Sequence, residues 1–415
     1  MTTKERLSPV DRAWLRMEHD RSPMTILGVL ELDAPMTAEA VRVILTERLL
    51  VHPRFSMKFA RSRLGRFDLV PQDGFDLARH VRPIPAPADD AGYRAMLGEL
   101  AGGMISRDGP PWEILVIEDL DGRSVLLPRL HHSLADGISL IQVLVSLCDE
   151  PPEHRPPPSA AATGGGIVSR AVGIVWEALR LAALPIDPPT SLKAPLTGRK
   201  RTAWTRPVPL DRLRTAAAEH GATVNDIVLG ALSGALGRIL ASRDEGGVAA
   251  LRAMVPFNLR SPEAGQPLGN RFGLVLPELP VGTPLASRRL ERVNAMMSRL
   301  KSRSQGAAAY TVLNVMGVTA GVVERALLWF FGRKSSLVMT NVPGPRDPLH
   351  FGGRTIDRIM FWVPQAGGIA IGVSVISYAG AVTVGVLADD GSLPDPDELV
   401  VAYEDELAGY GVDLG

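Results

Sequence analysis

Hydrophobic residues recur along this chain in two periods, and the switches between them mark its elements. Ser8-Pro9-Val10-Asp11 opens a helix, with Ser8 placed to cap it and Pro9 at the first helical position, running to about Glu18. The apolar run Met24 to Leu32 predicts a strand. Thr37 then caps a second helix in which Val41, Ile44, Leu45 and Leu49 share one face. Trp112 to Leu120 and Ser124 to His132 are β-rich runs separated by Asp121-Gly122-Arg123, a hairpin signal. Ile138 to Leu147 is almost wholly apolar and helix-forming, which predicts a buried helix directly after the second strand.

Residues Cys148 to Gly166 break this pattern with Pro151, Pro152, Pro156, Pro157, Pro158 and the triplet Gly164 to Gly166, the composition of a linker. Ile167 to Leu184 follows as an amphipathic crossing helix, and Pro185 to Arg201 has loop character. Beyond it Thr223 caps a strong helix with Val224, Ile227, Val228, Ala231, Ala235 and Ile239 on one side. Gly368 to Ser377 and Ala381 to Ala388 flank Tyr378-Ala379-Gly380 as a further hairpin, and Asp395 to Gly409 reads as a final surface helix. The expected organisation is an N-terminal domain at 1–150, a linker and crossing helix at 151–200, and a C-terminal domain at 201–415, each mixing strands and helices. A length of 415 residues is too great for one ordinary core, which agrees with two domains.

Composition narrows the function. With 46% hydrophobic and 22% charged residues the chain is a folded globular protein. Lys plus Arg and Asp plus Glu both number 45, so the net charge is zero and nucleic acid is not the expected partner. The single cysteine, Cys148, rules out an intrachain disulfide and cysteine-based metal or redox pairs. Met1 to Leu7 lacks the apolar stretch of a signal peptide, so a cytoplasmic protein is expected. The longest apolar candidate, Ala307 to Phe331, is interrupted by Glu324 and Arg325, and no spanning helix is expected.

The chemistry concentrates in His131-His132-Ser133-Leu134-Ala135-Asp136-Gly137, on a strand-to-helix turn. Transfer of an acyl group from a thioester to an alcohol needs a base for the hydroxyl proton, and imidazole suits that task. The thiolate of coenzyme A leaves readily, so no covalent acyl-enzyme is needed and one histidine can be enough. Gly137 permits a backbone angle or a close approach that a side chain would forbid. Asp136 either orients the imidazole or holds the turn through a contact elsewhere. Taken alone, two adjacent histidines at a strand end are more often structural than catalytic, and strand alternation points them to opposite sides. A metal site is not expected: there is no HExxH, and His19, His52, His80, His154, His220 and His350 lack ligand spacing. There is likewise no GxSxG elbow, Walker A sequence or GxGxxG after a strand.

The HHxxxDG pattern resembles that of the coenzyme-A-dependent acyltransferase superfamily, which includes chloramphenicol acetyltransferase and peptide-synthetase condensation domains. Further stretches narrow the likeness: Leu7-Ser8-Pro9-Val10-Asp11 with Leu15-Arg16-Met17-Glu18, Phe75-Asp76-Leu77 with His80-Val81, Pro111-Trp112-Glu113, Asn225-Asp226, Leu268-Gly269-Asn270-Arg271-Phe272, and Thr340-Asn341-Val342-Pro343-Gly344-Pro345. In order and spacing they resemble the bacterial wax ester synthase/diacylglycerol acyltransferase family over nearly the whole chain. The resemblance implies an α/β fold of two chloramphenicol-acetyltransferase-like domains, a mixed sheet in each, with a substrate channel between them. It implies transfer of a fatty acyl group from acyl-CoA, as co-substrate and without a cofactor, to diacylglycerol or a long-chain alcohol. The second histidine is the family's base, which maps to His132, with His131 supporting and Asp136 and Gly137 chiefly structural. The family's usual Pro-Leu-Trp stands here as Pro110-Pro111-Trp112, which bears on the acceptor side of the channel. Substrate contacts are expected from Trp112, Asn225, Asp226, Asn270, Arg271, Thr340, Asn341 and Gly344.

Alternatives stay open at several of these positions. Asn225-Asp226 also suits a helix N-terminus, where Asp complements the dipole. Arg271 reads equally as a partner for coenzyme A phosphates or as an interdomain ion pair. The stretch Val312 to Phe331, with Trp329, Phe330 and Phe331 beside Arg333 and Lys334, reads as a buried helix first and a membrane-surface segment second, with Ile167 to Leu184 a further candidate. A peripheral position on the inner membrane face or on lipid droplets would suit lipid substrates. A nonlipid alcohol or amine acceptor, and a noncatalytic lipid-binding role on the same fold, are the competing readings.

Overall fold

A computed structural model describes residues 4–61, 67–150, 183–258, 272–301, 330 and 332–414. Its first sheet has six strands, in the order His350–Phe351, Arg354–Trp362, Thr25–Leu32, Arg123–His131, Trp112–Leu120 and Val81–Pro83. All neighbours are antiparallel except the last pair, so the sheet is mixed. Two of its strands come from residues 350–362, deep in the C-terminal half of the chain. Thr25–Leu32 is apolar on both faces because both are covered. Leu27 and Val29 meet Tyr93, Leu97 and Ala101 of helix Asp90–Gly102, whereas Leu30 and Leu32 meet Val41, Ile44 and Leu45 of helix Ala38–Arg48. Period-two alternation therefore feeds two different cores.

The second sheet follows the order Phe272–Val275, Leu251–Asn258, Leu337–Pro343, Ile371–Tyr378, Ala381–Asp389 and Lys200–Trp204, with Glu278–Leu279 and Val208–Pro209 paired at its margins. Its central pairs, Leu251–Asn258 with Leu337–Pro343 and Leu337–Pro343 with Ile371–Tyr378, are parallel, and the rest are antiparallel. Helix Val224–Ser242 packs on it. That helix is long and apolar enough to cross a membrane, yet 72% of its most apolar window is buried inside the fold. The final helix, Asp397–Gly409, lies at the surface with one face in the core: Leu399, Tyr403 and Leu407 are buried, Glu406 is buried against Arg289, and Glu398, Val401 and Asp405 are exposed. A small sheet, Glu5–Arg6 with Phe67–Pro71 and Met57–Arg61, backs the N-terminal helix Pro9–Met17.

Both hairpins form as expected, and each turns through two residues in the left-handed region. Asp121 (φ 54°) and Gly122 (φ 83°) join the first pair, and Ala379 (φ 46°) and Gly380 (φ 78°) the second. The caps are formed too: Ser8 Oγ accepts from Asp11 N, Thr37 Oγ1 from Ala40 N, and Thr223 shares a capping box with Asp226. The amphipathic segment 167–184 and the stretch 312–331 lie, apart from residues 183–184 and 330, outside the described residues.

Towards the C-terminal ends of the parallel strands the second sheet runs into the first core. Val342, Ile376 and Tyr378 leave the cluster formed by Leu337, Met339, Val373 and Val375 and join Leu134, of the histidine turn, among the buried residues of the first half. The two halves therefore share packing directly beneath that turn.

Candidate active site

Strand Arg123–His131 carries the histidines to the sheet end, where His131 pairs with Thr25 and His132 N–H donates to the Met24 carbonyl at 2.8 Å. Leu134 N–H then bonds back to the His131 carbonyl, and the chain enters helix Gly137–Leu147. Asp136 is the N-cap: its carboxylate accepts from Ser139 N–H at 2.9 Å, which satisfies one of the free donors of the first turn. Gly137 has no left-handed angle. A Cβ there would stand 3.1 Å from Val342 Cγ2, so close approach is what the position requires.

The His131 ring is fully buried and both its nitrogens face protein groups. Ser133 N–H donates to Nδ1 at 3.1 Å, and Ser133 Oγ lies 2.7 Å from the same atom. A backbone N–H can only donate, so the proton of the neutral ring sits on Nε2. Nε2 lies 3.5 Å from Glu18 Oε1, between two side chains that are both fully buried. Glu18 also accepts from Met24 N–H at 3.0 Å and from the Arg107 guanidinium. Burial pushes this carboxyl up, but His131, Met24 N–H and Arg107 together outweigh it and hold the group at about 2.

His132 is oriented differently. Its imidazole stacks on Trp14 with ring centroids 4.0 Å apart and planes 21° from parallel. Behind the turn Arg54 Nη1 donates to the Leu134 carbonyl while Nη2 meets Asp11 at 3.2 Å and Nε meets Glu5 at 2.9 Å. Met24, whose N–H is held by Glu18 and whose carbonyl holds His132 N–H, couples the two supports.

Several of the expected contact residues stand in the other half. Asn341 Nδ2 donates to Asn225 Oδ1 at 2.8 Å, which ties the end of strand Leu337–Pro343 to the first turn of helix Val224–Ser242. Asp226 is buried in the capping box, where Oδ2 accepts from Thr223 N–H and Oγ1–H, both at 2.8 Å. Thr340 is buried on the same side of its strand as Val342, and so on the side that meets Gly137. Gly344 N–H donates to the Ser377 carbonyl at 2.8 Å, and a Cβ on Gly344 would fall 2.6 Å from that oxygen. Trp112 is 2% exposed, its Nε1–H donates to the Phe55 carbonyl at 2.7 Å, and its ring meets Phe55 and His80. Asn270 and Arg271 lie outside the described residues.

Sequence reasoning assigned no role to Trp14, Glu18, Met24, Arg54 or Ser133. Asp11 and Glu18 stand in stretches that carry the family resemblance, which is the one signal that pointed to them. Trp14 and Arg54 carry no signal beyond side-chain type.

Comparison with known proteins gives one consistent answer. Residues 7–166 match the wax ester synthase/diacylglycerol acyltransferase catalytic domain, and residues 268–410 match the C-terminal domain of the same family. A protein of Mycobacterium tuberculosis named probable diacylglycerol O-acyltransferase is 31% identical over 97% of this chain and 95% of its own length. A second of the same name and organism is 28% identical over 97% of each. Among solved structures, the wax ester synthase/diacylglycerol acyltransferase of Marinobacter aquaeolei superposes with a TM-score of 0.75 at 23% identity, covering 98% of both chains. The first condensation domain of the calcium-dependent antibiotic synthetase reaches 0.62 at 16% identity, covering 99% of this chain and 96% of its own. These two structural likenesses describe the fold.

Proposed function

The chain belongs to the wax ester synthase/diacylglycerol acyltransferase family and is an acyl-CoA-dependent O-acyltransferase, in which we propose that His132 is the base that activates the acceptor hydroxyl. The observation that carries the choice of histidine is the state of its neighbour. His131 is buried, with Nδ1 engaged by Ser133 and Nε2 facing the buried Glu18 carboxylate, so both nitrogens point at protein groups. His132, the second histidine of the HHxxxDG pattern, is held instead through its backbone N–H and by the Trp14 stack on its ring face.

In the reaction so proposed the acceptor oxygen forms a bond to the thioester carbonyl carbon as its O–H proton passes to His132. The tetrahedral intermediate then expels sulfur: the C–S bond breaks, the ester carbonyl re-forms, and the imidazolium returns the proton to the departing coenzyme A thiolate. The rigid turn contributes by presenting one nitrogen in one place, since general-base catalysis depends on reach before it depends on basicity. Diacylglycerol is the proposed acceptor, with a long-chain alcohol as the related second substrate, because the curated relatives that align along the whole chain bear the diacylglycerol name. The expected products are triacylglycerol or wax ester and free coenzyme A. Such acceptors partition into lipid, which supports an encounter at a cytosol-facing membrane or droplet surface. Flotation with diacylglycerol-containing vesicles reads this out directly, and a protein that stays in the aqueous fraction would contradict it.

The deciding experiment measures thiol release from acyl-CoA by the purified protein with diacylglycerol, a long-chain alcohol or a small nonlipid alcohol. Turnover with the lipid acceptors, lost by roughly 100-fold or more in His132→Ala, is the expected result. Undiminished transfer by that variant would remove His132 as the base, and turnover of the nonlipid acceptor alone would remove the lipid assignment.

A further inference from the structure

The N-terminal helix grips the histidine turn at three points. Asp11 is tied through Arg54 to the Leu134 carbonyl, Trp14 stacks on His132, and Glu18, just past the helix end, faces His131. Residues 11 and 14 are spaced by three and so lie on one side of the helix, and Glu18 follows four positions on, at its C-cap. The two flanking contacts fix where Trp14 stands. An arrangement of this kind holds a ring against the imidazole more firmly than either side chain could alone.

A stacked indole does not treat the two protonation states of imidazole alike. Its face carries the negative side of the ring quadrupole, which attracts a cation and does little for a neutral ring, and tryptophan is the strongest of the aromatic side chains in this respect. The effect grows where water is kept away, and His132 is only 9% exposed. Resting on the base assignment made above, His132 is neutral before reaction and becomes imidazolium as the acceptor O–H bond breaks. An interaction that strengthens as that charge develops lowers the barrier, whereas one that holds both states equally does not.

We infer that Trp14 is a positioning residue for His132 whose indole face both fixes the imidazole plane and stabilises the imidazolium formed when the acceptor hydroxyl gives up its proton. Charges placed around the turn by the described residues include Glu18 with Arg107 beside His131, Asp136 at the start of the following helix, and the Asp11–Arg54 pair behind Leu134. None of them is altered by a change confined to the indole ring. A plain wall against the imidazole would serve equally well whatever its electron density. That difference is measurable.

The test replaces Trp14 by site-specific incorporation of mono-, di- and tetrafluorotryptophan, which drain the ring face while nearly keeping its shape, and sets these beside Trp14→Phe and Trp14→Leu. Each variant is assayed by thiol release for kcat, for KM towards acyl-CoA, and for the pH dependence of kcat/KM. The expected result is a stepwise fall in kcat with fluorination, reaching about tenfold, with KM unchanged. The acid limb of kcat/KM should move to lower pH by up to about one pH unit, because the free enzyme's imidazolium is stabilised less. Trp14→Phe should fall between the wild type and Trp14→Leu. Equal kcat and an unmoved acid limb across the fluorinated series would overturn the inference, even if Trp14→Leu fails to fold. His132→Ala, run alongside, separates the two ideas: an active His132→Ala removes the base assignment itself, and an inactive one with a flat fluorinated series removes only the role of Trp14.

Discussion

Replacing Glu18 by Gln is the sharpest probe of the support behind the histidines, because the side chain keeps its size and loses only its charge. The groups that the described residues set against the Glu18 carboxylate are donors: Met24 N–H, the His131 Nε2–H, and Nε and Nη2 of Arg107. A carboxylate can accept from all of them. An amide cannot, since wherever its NH2 group points it meets another donor. The carboxyl is held at about 2, against 4.5 for an unperturbed glutamate. At about 1.4 kcal/mol per pH unit, and with a side chain wholly removed from water, that gap corresponds to about 3 kcal/mol at neutral pH.

The sign follows from the direction of that displacement. A carboxyl whose folded value lies below its unfolded value contributes its full stability above about pH 4.5, and the contribution drains away as pH falls from there towards 2. Urea midpoints of wild type and Glu18→Gln should thus differ most at pH 7 and converge on acidification. The variant's kcat should also fall, by up to about a hundredfold, because Met24 and His131 are both released from one anchor. A variant as stable as the wild type at pH 7, or a gap that stays constant from pH 7 to pH 3, would refute the reasoning.

Three further outcomes test the rest of the site. Gly137→Ala should destabilise by about 1 kcal/mol, since its methyl meets Val342 Cγ2 at 3.1 Å, and the double variant with Val342→Ala should cost less than the two single changes together. Asn225→Ala and Asn341→Ala should each cost about 0.5–1 kcal/mol and fail to add in a thermal-unfolding cycle, because they delete the two ends of one hydrogen bond. Asp136→Ala should lower the unfolding midpoint through loss of the cap on helix Gly137–Leu147, by at least about 1 kcal/mol, and an unchanged midpoint would show that the Ser139 N–H bond carries no weight.

What could be read from the residues was decided by how far apart the interacting groups stand in the chain. The caps at Ser8, Thr37 and Thr223 join residues three apart, and the turns at Asp121-Gly122 and Ala379-Gly380 are set by adjacent residues, so their patterns are complete within a short window. The strand Arg354–Trp362 gives no such hint of its partner: it pairs with Thr25–Leu32 at the other end of the chain, and nothing local marks a strand as belonging to one sheet or the other. The final helix shows both sides of this: Leu399, Tyr403 and Leu407 recur every four residues and bury one face, which a short window contains, whereas the burial of Glu406 depends on Arg289, more than a hundred residues away in the chain.

The choice between the two histidines turns on the same distance. Strand alternation establishes that His131 and His132 point to opposite sides, so only one can readily face a given cleft, but alternation is symmetric and does not say which. The asymmetry comes from the N-terminal helix, remote in the chain, which sets a buried carboxylate beside His131 and an aromatic face beside His132. A carboxylate beside a ring nitrogen meets the imidazole at its edge, whereas a ring stacked on the imidazole plane meets it at its face. Family resemblance points to the second histidine without giving a reason. On the proposal that His132 is the base, the structural difference lies in which surface of each ring its neighbour meets: Glu18 stands at the edge of His131, and Trp14 covers the face of His132.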